Sequence, residues 1–162
     1  MGWDNPPKTK PKTAIRSFTG EYRWLSNFYG VEVEMDGMIY TSTEHAYQAA
    51  KTFNVEMRRT IRLATTPGQA KKLGRRVDLR PDWESVKLLI MENLLRQKFS
   101  NPGLRQKLVD TGISTLVEGN TWGDTFWGQV NGVGKNHLGR LLMKIRSEDP
   151  EWVIKHGQPE SE

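Results

Sequence analysis

The sequence predicts a single, helix-rich α+β domain with a small β-hairpin. The chain has 162 residues, which is enough for one hydrophobic core and too few for two. Segments with helical periodicity make up less than half of the chain. The strand-like segments are short and fall mostly in the first third, where Asp36-Gly37 is a strong hairpin-turn signal.

The first elements are predicted to be a hairpin followed by a helix. Residues 31–35 alternate between apolar and acidic side chains, as in a half-buried strand, and residues 38–40 form its partner. A helix follows over about residues 43–54. Its start is indicated by Thr41 and Glu44, which have the spacing of a capping box.

Five more helices and one more strand are predicted from helix caps and apolar periodicity. The helices cover about residues 56–64, 67–74, 82–100, 101–112 and 136–146, and the strand covers residues 115–118. The third of these helices is the longest. Its wide apolar face, which includes Leu94, Leu95 and Phe99, is typical of a central core helix.

We predict that the domain spans residues 15–148, between a flexible basic tail of residues 1–14 and an acidic C-terminal tail of residues 149–162. The N-terminal segment is rich in Pro and Lys. Within the domain, residues 56–80 contain eight basic and two acidic side chains, a local charge of +6. Such a region suits phosphate-bearing partners, although a solvated helix face is the more common explanation.

Composition excludes several classes of function. The chain has no cysteine, which excludes disulfides, cysteine-ligated zinc and a thiol nucleophile. Its three histidines are far apart and lack metal-ligand spacing, so we expect no metal and no other cofactor. No apolar stretch is long enough to cross a bilayer or to form a signal peptide. We therefore expect a cytoplasmic protein without a membrane partner.

The first predicted helix has a row of polar side chains on one face. Glu44, Gln48 and Lys51 are four and then three residues apart, which aligns them on one side of a helix. Alanines elsewhere on the cylinder favour close packing. A carboxylate, an amide and an ammonium on a buried helix are costly unless they bind each other or a ligand. A capped surface stripe of ion pairs explains the same residues equally well.

Residues 119–139 form a glycine-rich segment that also contains tryptophans. Six of the fifteen glycines lie there, interleaved with Trp122, Asp124 and Trp127, and the segment leads into a helix at Asn136. Glycines let backbone amides approach a phosphate, helix N-termini attract anions, and indole rings stack on nucleobases. The spacing matches no known phosphate-binding glycine motif, and a loop with tryptophans packed in the core is the competing interpretation.

A third candidate segment, residues 20–29, combines aromatic and polar side chains. Arg23 is suited to a phosphate and Trp24 to a base or sugar, while Ser26 and Asn27 add small hydrogen-bonding groups. The same aromatic residues are equally suited to the start of the hydrophobic core. Composition does not separate these two interpretations.

Taken in order along the chain, these motifs resemble those of one known family. They include Leu25-Ser26-Asn27-Phe28-Tyr29, Thr43-Glu44-His45-Ala46-Tyr47-Gln48, Ala70-Lys71-Lys72-Leu73-Gly74-Arg75, Glu118, Asp124, Trp127-Gly128 and Asn136-His137-Leu138-Gly139. Over residues 16–147 this string resembles the NADAR superfamily, the YbiA-like N-glycosidases. The resemblance implies a helix-rich α+β fold and cleavage of the bond between ribose C1′ and a base nitrogen.

The resemblance also implies substrates and site residues. Family members act on phosphorylated aminopyrimidine ribosides of riboflavin biosynthesis, or remove ADP-ribose from guanine in nucleotides or nucleic acid. The acidic site residues of the family correspond to Glu44 and Asp124, and its aromatic lining to Trp24 and Trp127. Many relatives read Trp-Gly-x-Gly where this chain has Trp127-Gly128-Gln129-Val130, so the loop and the substrate preference can differ here.

From the residues and the resemblance together, we predict three catalytic residues. Glu44 stabilises positive charge at C1′ or acts as a base, and Asp124 positions the ribose hydroxyls or a water. Lys51 either binds a phosphate or attacks C1′ as an amine and forms a Schiff base. The predicted substrate contacts are Arg23, Trp24, Ser26, Asn27, Gln48, Trp127, Gly128 and Asn136.

The expected partner is a small phosphorylated nucleotide or ADP-ribose ligand, or a nucleic acid that carries ADP-ribosylated guanine. A second hypothesis belongs to another class of function: a non-catalytic binder or sensor of ADP-ribose or a related nucleotide. A DNA-binding module built on residues 56–80 is a weaker idea, because that region has no recognisable base-reading helix.

Overall fold

A computed structural model of the protein describes residues 13–157. In chain order the elements are β1 (Ala14–Ile15), a 3-10 helix (Gly20–Leu25), β2 (Gly30–Met35), β3 (Met38–Ser42), α1 (Thr43–Ala50), α2 (Val55–Arg62), α3 (Pro67–Gly74), α4 (Trp83–Lys98), α5 (Pro102–Asp110), β4 (Thr115–Leu116), α6 (His137–Ser147) and α7 (Pro150–His156). The predicted helix-rich α+β class is confirmed. None of the described helices is both long and apolar enough to cross a membrane.

The strands form two small pairs. The antiparallel pair β2–β3 turns at Asp36 and Gly37, whose φ angles of 51° and 83° are both left-handed, as a type I′ turn requires. The hairpin expected at these two residues is therefore present. The second pair, β1 with β4, is parallel and brings residues 14–15 beside residues 115–116. This pair joins the start of the domain to the segment that precedes the glycine-rich loop.

Helix α1 is the central helix, and every one of its residues is buried. It packs against α2, α3, α4 and the β2–β3 hairpin. It ends at Ala50, four residues before the predicted end. The predicted capping box is wrong in its first member, because Ser42 rather than Thr41 caps the helix by accepting a hydrogen bond from His45 N at 3.1 Å. The Glu44 carboxylate is thus not needed at the helix start.

The other helix starts follow the sequence signals closely. Thr66 and Asn101 accept hydrogen bonds from the amides of Gln69 and Leu104, and a proline occupies the first turn of each helix. Helix α4 supplies the middle of the core with Met91, Leu94 and Leu95, which are fully buried. These side chains pack on α1 and fix its position beneath the loops that surround it.

The described part of the predicted acidic C-terminal tail contains helix α7, which is docked on the domain, and residues 158–162 lie outside the described residues. Asp149 caps α7 by accepting from Glu151 N, and Pro150 occupies its first turn. Trp152 Nε1 donates to Gly112 O at 2.7 Å, and Asp149 pairs with Arg105. Asp149 and Glu151 thus both pair with Arg105 of the domain, a contact that a free tail would not make. Of the predicted basic tail, residues 1–12 lie outside the described residues and Ala14 belongs to β1.

Candidate active site

A cavity of about 410 Å³ lies along the polar face of α1. Its volume is in the range typical of small-molecule sites, about 300–1,000 Å³. The predicted site residues that line it are Glu44, Lys51, Asp124, Ser26, Asn27, Gln48 and Trp127. The three segments singled out from the sequence therefore each contribute to one wall of the same cavity.

Arg23 and Trp24, two predicted substrate contacts, do not line this cavity. Both lie in the 3-10 helix, where Arg23 Nη1 donates to Gly20 O at 3.1 Å. Trp24 is 6% exposed, its Nε1 donates to Glu21 O, and its ring packs edge-on against Phe99. Trp24 therefore belongs to the hydrophobic core, which was the competing interpretation of this segment.

Gly128 and Asn136 do not line the cavity either. A side chain at Gly128 would overlap the backbone carbonyl of Glu118, so this glycine allows the loop to pack closely against the strand end. Asn136 donates from Nδ2 to Leu116 O at 2.9 Å and accepts at Oδ1 from Glu118 N at 3.0 Å. Both residues therefore support the segments that form the cavity wall, and neither reaches the cavity itself.

The polar face of α1 is a connected row. Gln48 Nε2 donates to Glu44 Oε1 at 2.7 Å, and Glu44 N donates to Asn27 O at 3.1 Å. Burial raises the pKa of Glu44, while the hydrogen bond from Gln48 and the charges of Lys71 and Lys51 oppose this rise. The carboxyl group is thus oriented by its own helix and faces the cavity.

Lys51 follows the last residue of α1 and reaches the same cavity. Its Nζ lies 5.6 Å from the centre of the Tyr47 ring. Burial lowers the pKa of Lys51, nearby Glu44 opposes this, and Lys71 and Arg75 lower it further. A partly desolvated ammonium of this kind binds anions well and is more easily deprotonated than a surface lysine.

Asp124 is held by the backbone of its own loop. Its Oδ1 accepts hydrogen bonds from Phe126 N at 3.0 Å and Trp127 N at 2.9 Å. The side chain of Asn120 binds the backbone of Asp124 from the other side. Trp127 in turn donates from Nε1 to the Tyr47 hydroxyl of α1 at 3.2 Å. The loop and the central helix are therefore joined beside the two predicted catalytic carboxyl groups.

Glu118 is a site residue that was not among the predicted catalytic or binding residues. It follows β4, lines the cavity, and its Oε2 is buried without a hydrogen-bond partner among the described residues. Burial raises the pKa of Glu118 to about 7, the charges of Asp124 and Glu44 add to the rise, and Lys71 opposes it. Its signal in the sequence is an acidic residue that follows an apolar strand and opens the glycine-rich loop.

The remaining wall includes further residues to which no role was assigned. These are Phe18, Thr19, Phe28, Tyr47, Lys71, Met91, Gly119 and Trp122. Lys71 and Trp122 come from the basic region and the glycine-rich loop, so their segments were indicated but their place in the site was not. Among the described residues, no group of three His, Asp or Glu side chains is arranged to hold a metal ion.

Carboxyl groups and ammonium groups thus face one cavity in a helix-rich α+β domain. Carboxyl pairs of this kind cleave glycosidic bonds through a cationic sugar, and ammonium groups bind phosphate. The fold and the site together define the class of a candidate glycosyl-bond hydrolase.

Comparison with known proteins gives the family. A family model described as the NADAR domain matches residues 15–148. N-glycosidase YbiA of Shigella boydii is 39% identical over 136 residues, which cover 82% of this chain and 84% of that protein. A riboflavin biosynthesis protein of Vibrio vulnificus is 36% identical over 129 residues, which cover 77% of this chain and 35% of that protein.

A solved structure agrees with these sequence matches. The NMR structure of the Escherichia coli protein YbiA has a TM-score of 0.73 and 34% identity, and the match covers 93% of this chain and 91% of that one. The chain therefore belongs to the NADAR domain family, as the order of its motifs indicates. At the level of enzyme class it is an N-glycosidase, a hydrolase of N-glycosyl bonds.

Proposed function

We propose that the protein hydrolyses the bond between ribose C1′ and a base nitrogen in a phosphorylated, nucleotide-like substrate. The observation that supports this most is the convergence of Glu44, Glu118 and Asp124 with Lys51 and Lys71 on one cavity. The carboxyl groups suit a sugar that becomes cationic at C1′, and the ammonium groups suit its phosphate.

The first step breaks the C1′–N bond. The bonding electrons leave with the base nitrogen, and the ribose develops positive charge at C1′. The Glu44 carboxylate stabilises this charge, because it is held by Gln48 and faces the cavity. Glu118 gives its proton to the departing nitrogen, since burial raises its pKa to about 7 and a large fraction of the acid is therefore protonated at neutral pH.

The second step adds water to C1′. Asp124, which is fixed by two backbone amides, positions the ribose hydroxyls or the water. Glu44 accepts the proton that the water loses, and this proton then restores Glu118. The products are the free base and a ribose with a hydroxyl at C1′, so one water molecule is consumed in each turnover.

Lys51 has two possible roles, which a trapping experiment separates. As a phosphate ligand it stays an ammonium and forms no covalent bond with the sugar. As a nucleophile it displaces the base at C1′, and the opened sugar forms a Schiff base with Nζ. Borohydride added during turnover reduces a Schiff base to a stable amine, so mass spectrometry of Lys51 distinguishes the two roles.

Two substrate classes fit the proposal. The name of the Vibrio vulnificus relative favours phosphorylated aminopyrimidine ribosides of riboflavin biosynthesis. The basic residues of α2 and α3 favour a more phosphate-rich substrate, such as ADP-ribosylated guanine in a nucleotide or in nucleic acid. The test is to incubate the protein with each substrate and to measure released base by chromatography.

The expected result is release of base from one of the two substrates, at a rate proportional to enzyme concentration. Absence of release from both would overturn the proposal. If calorimetry then showed tight binding of ADP-ribose without turnover, the second hypothesis, a non-catalytic nucleotide binder, would replace it.

A further inference from the structure

Two exposed aromatic rings and one lysine stand together at the wall of the cavity. Phe28 is 45% exposed and Trp122 is 59% exposed, although both line the cavity. The Lys71 ammonium lies 5.9 Å from the centre of the Phe28 ring and 5.2 Å from the ring of Trp122. We call these three residues the rim cluster. None of them is assigned a role in the proposed reaction other than the positive charge of Lys71.

A similar cluster elsewhere on the surface shows what is different about the rim cluster. Phe53 is 58% exposed and is flanked by Arg58 and Arg80. There each cation is neutralised, because Arg58 pairs with Asp36 at 2.7 Å and Arg80 pairs with Asp82 at 2.6 Å. The positive charges of the Phe53 cluster are therefore neutralised by side chains of the protein and need no ligand.

Among the described residues, the cation of the rim cluster has no such ion-pair partner. Within residues 13–157, Lys71 forms no ion pair shorter than 4 Å. The residues that follow it include the exposed Lys72 of α3 and the exposed Arg75 and Arg76, which come just after that helix. The carboxyl groups of Glu44 and Glu118 interact electrostatically with Lys71, but they belong to the reaction centre. The rim therefore combines unused aromatic surface with positive charge that an external anion can neutralise.

We propose that the rim cluster is a subsite for a nucleotide unit of the substrate. A flat heteroaromatic ring stacks on Trp122 and Phe28, and the phosphate attached to the same unit binds the Lys71 ammonium. This inference rests on the proposed function, because it assigns the rim to substrate binding and leaves bond cleavage to the carboxyl groups deeper in the cavity. It makes Trp122 and Lys71 determinants of affinity and not of the chemical step.

Equilibrium binding tests the two parts of the subsite separately. Adenosine 5′-monophosphate has both a ring and a phosphate, adenosine has only the ring, and ribose 5-phosphate has only the phosphate. Calorimetry with the wild-type protein should show that the nucleotide binds about tenfold or more tightly than either fragment, since stacking of one base contributes about 1–3 kcal/mol. Equal affinity for the nucleotide and for ribose 5-phosphate would overturn the stacking role.

Variants assign the two contributions to residues. Trp122→Ala should weaken nucleotide binding about tenfold and leave ribose 5-phosphate binding unchanged. Lys71→Ala should weaken binding of both phosphates and leave adenosine binding unchanged. Trp122→Phe, which keeps an aromatic face, should bind the nucleotide with intermediate affinity. Wild-type affinity in both alanine variants would show that the rim cluster takes no part in binding.

Two matched controls lie outside the cavity. Phe53→Ala removes an equally exposed ring from the neutralised cluster, and Lys72→Ala removes the next lysine of α3, which does not line the cavity. Both should bind the nucleotide like the wild type. If Lys72→Ala lost as much affinity for the nucleotide as Lys71→Ala, the effect would come from the positive charge of the region in general. That result would contradict a defined subsite.

Kinetics distinguish failure of this inference from failure of the proposed function. If the wild type hydrolyses a substrate, Trp122→Ala should raise KM about tenfold with kcat within about twofold. If this variant hydrolysed the substrate with an unchanged KM, the rim subsite would be ruled out and the N-glycosidase proposal would stand. If nucleotide binding depended on Trp122 but no substrate were hydrolysed, the subsite would be supported and the proposed reaction would be ruled out.

Discussion

The three carboxyl groups of the cavity are held in three different ways. The Asp124 carboxyl accepts two hydrogen bonds from backbone amides, and the Glu44 carboxyl accepts one from the Gln48 amide. Glu118 has a buried carboxyl oxygen with no hydrogen-bond partner within residues 13–157, and burial raises the pKa of Glu118 to about 7. Neighbouring acids in such different environments can divide two roles at the same pH. One acts as the proton donor while another carries the negative charge, and a single carboxyl group cannot do both.

Glu44→Gln tests the role of the central carboxylate. The amide has the same size and can keep a hydrogen bond to Gln48, but it carries no negative charge for C1′. We expect kcat to fall by about 10²–10⁴-fold, because one charge or proton-transfer group contributes about this much. Glu32→Gln on the exposed side of β2 is the matched control and should keep wild-type activity. Activity within tenfold of wild type in Glu44→Gln would contradict the mechanism.

Glu118→Gln tests the proton donor through the pH dependence of the rate. The wild-type rate should decline as the pH rises through about 7, because the acid that protonates the base is then lost. Glu118→Gln has no proton to donate, so its kcat should be about 10²–10⁴-fold lower and this decline should be absent. An unchanged decline in the variant would assign the titration to another group.

The same variant should change the pH dependence of stability. Glu118 has a folded-state pKa of about 7, above the ordinary value of 4.5, so between these values the folded protein holds a proton that the unfolded chain releases. The free energy of unfolding contributed by this group therefore falls as the pH rises from about 4.5 to 7. Urea titrations at pH 5 and pH 7 should show that Glu118→Gln removes part of this fall. A larger fall in the variant would contradict the assignment.

At the scale of elements, most of the local signals in the sequence agree with the structure, and the cap of α1 is an exception. Thr66 and Asn101 begin helices, and Asp36-Gly37 turns the hairpin, because these residues satisfy or shape the adjacent backbone directly. The alignment of Glu44 with Gln48 follows from helix geometry in the same way. These features require no knowledge of the rest of the chain.

Features that depend on packing between distant elements were not predictable to the same extent. The sequence did not distinguish Trp24 in the core from Trp127 in the cavity wall, because both are indoles beside polar residues. Whether Glu118 faces the cavity depends on the parallel pairing of β1 with β4, which joins segments about a hundred residues apart. The cap at Ser42 was not predicted, because the neighbouring Thr41 is also a residue type that commonly caps helices.

Asn136→Ala tests the corrected role of a predicted substrate contact. Asn136 caps α6 with a left-handed φ of 52°, and its side chain joins Leu116 O to Glu118 N. Loss of one buried and one partly buried hydrogen bond, added to the strain of alanine at a positive φ, should lower the free energy of unfolding by about 2–4 kcal/mol. Denaturant titration measures this loss. KM should be unchanged at temperatures where the variant is folded, and a raised KM with wild-type stability would restore a binding role.

Lys98→Met tests how α4 holds the segment that precedes the cavity. Lys98 is fully buried, and its Nζ donates to Ser26 O at 2.7 Å. Burial lowers the pKa of Lys98 to about 7, so between about pH 7 and 10.5 the unfolded chain binds a proton that the folded protein does not. Stability of the wild type should therefore rise with pH in this interval.

Methionine has a similar length to lysine but does not titrate, so Lys98→Met should lack that rise. We expect the wild type to gain roughly 2 kcal/mol relative to the variant between pH 7 and pH 9, measured by urea unfolding. Parallel stability curves for the two proteins would show that Lys98 remains charged in the folded state.

At the scale of the whole molecule, positive charge is concentrated beside the cavity. Residues 56–80 contain eight basic and two acidic side chains, and they form α2, α3 and the segment that follows them. Helix α3 supplies Lys71 to the cavity, while Lys72 on the same helix and Arg75 and Arg76 just after its end are exposed. The basic surface is therefore continuous with the cavity through one helix, and a substrate with phosphates beyond the reacting nucleoside would lie along it.

The dependence of KM on salt tests whether substrates extend onto this surface. A mononucleotide-sized substrate places few charges near the protein, so log KM should rise only slightly with log salt concentration. A nucleic acid that carries the modified base contacts several basic side chains, and each phosphate contact adds about 0.7–0.9 to the slope. Charge reversal at Arg76, as Arg76→Glu, should lower the slope for the nucleic acid and leave the slope for the small substrate unchanged. Equal slopes for the two substrates would show that binding is confined to the cavity, and the basic surface would then be a solvated helix face.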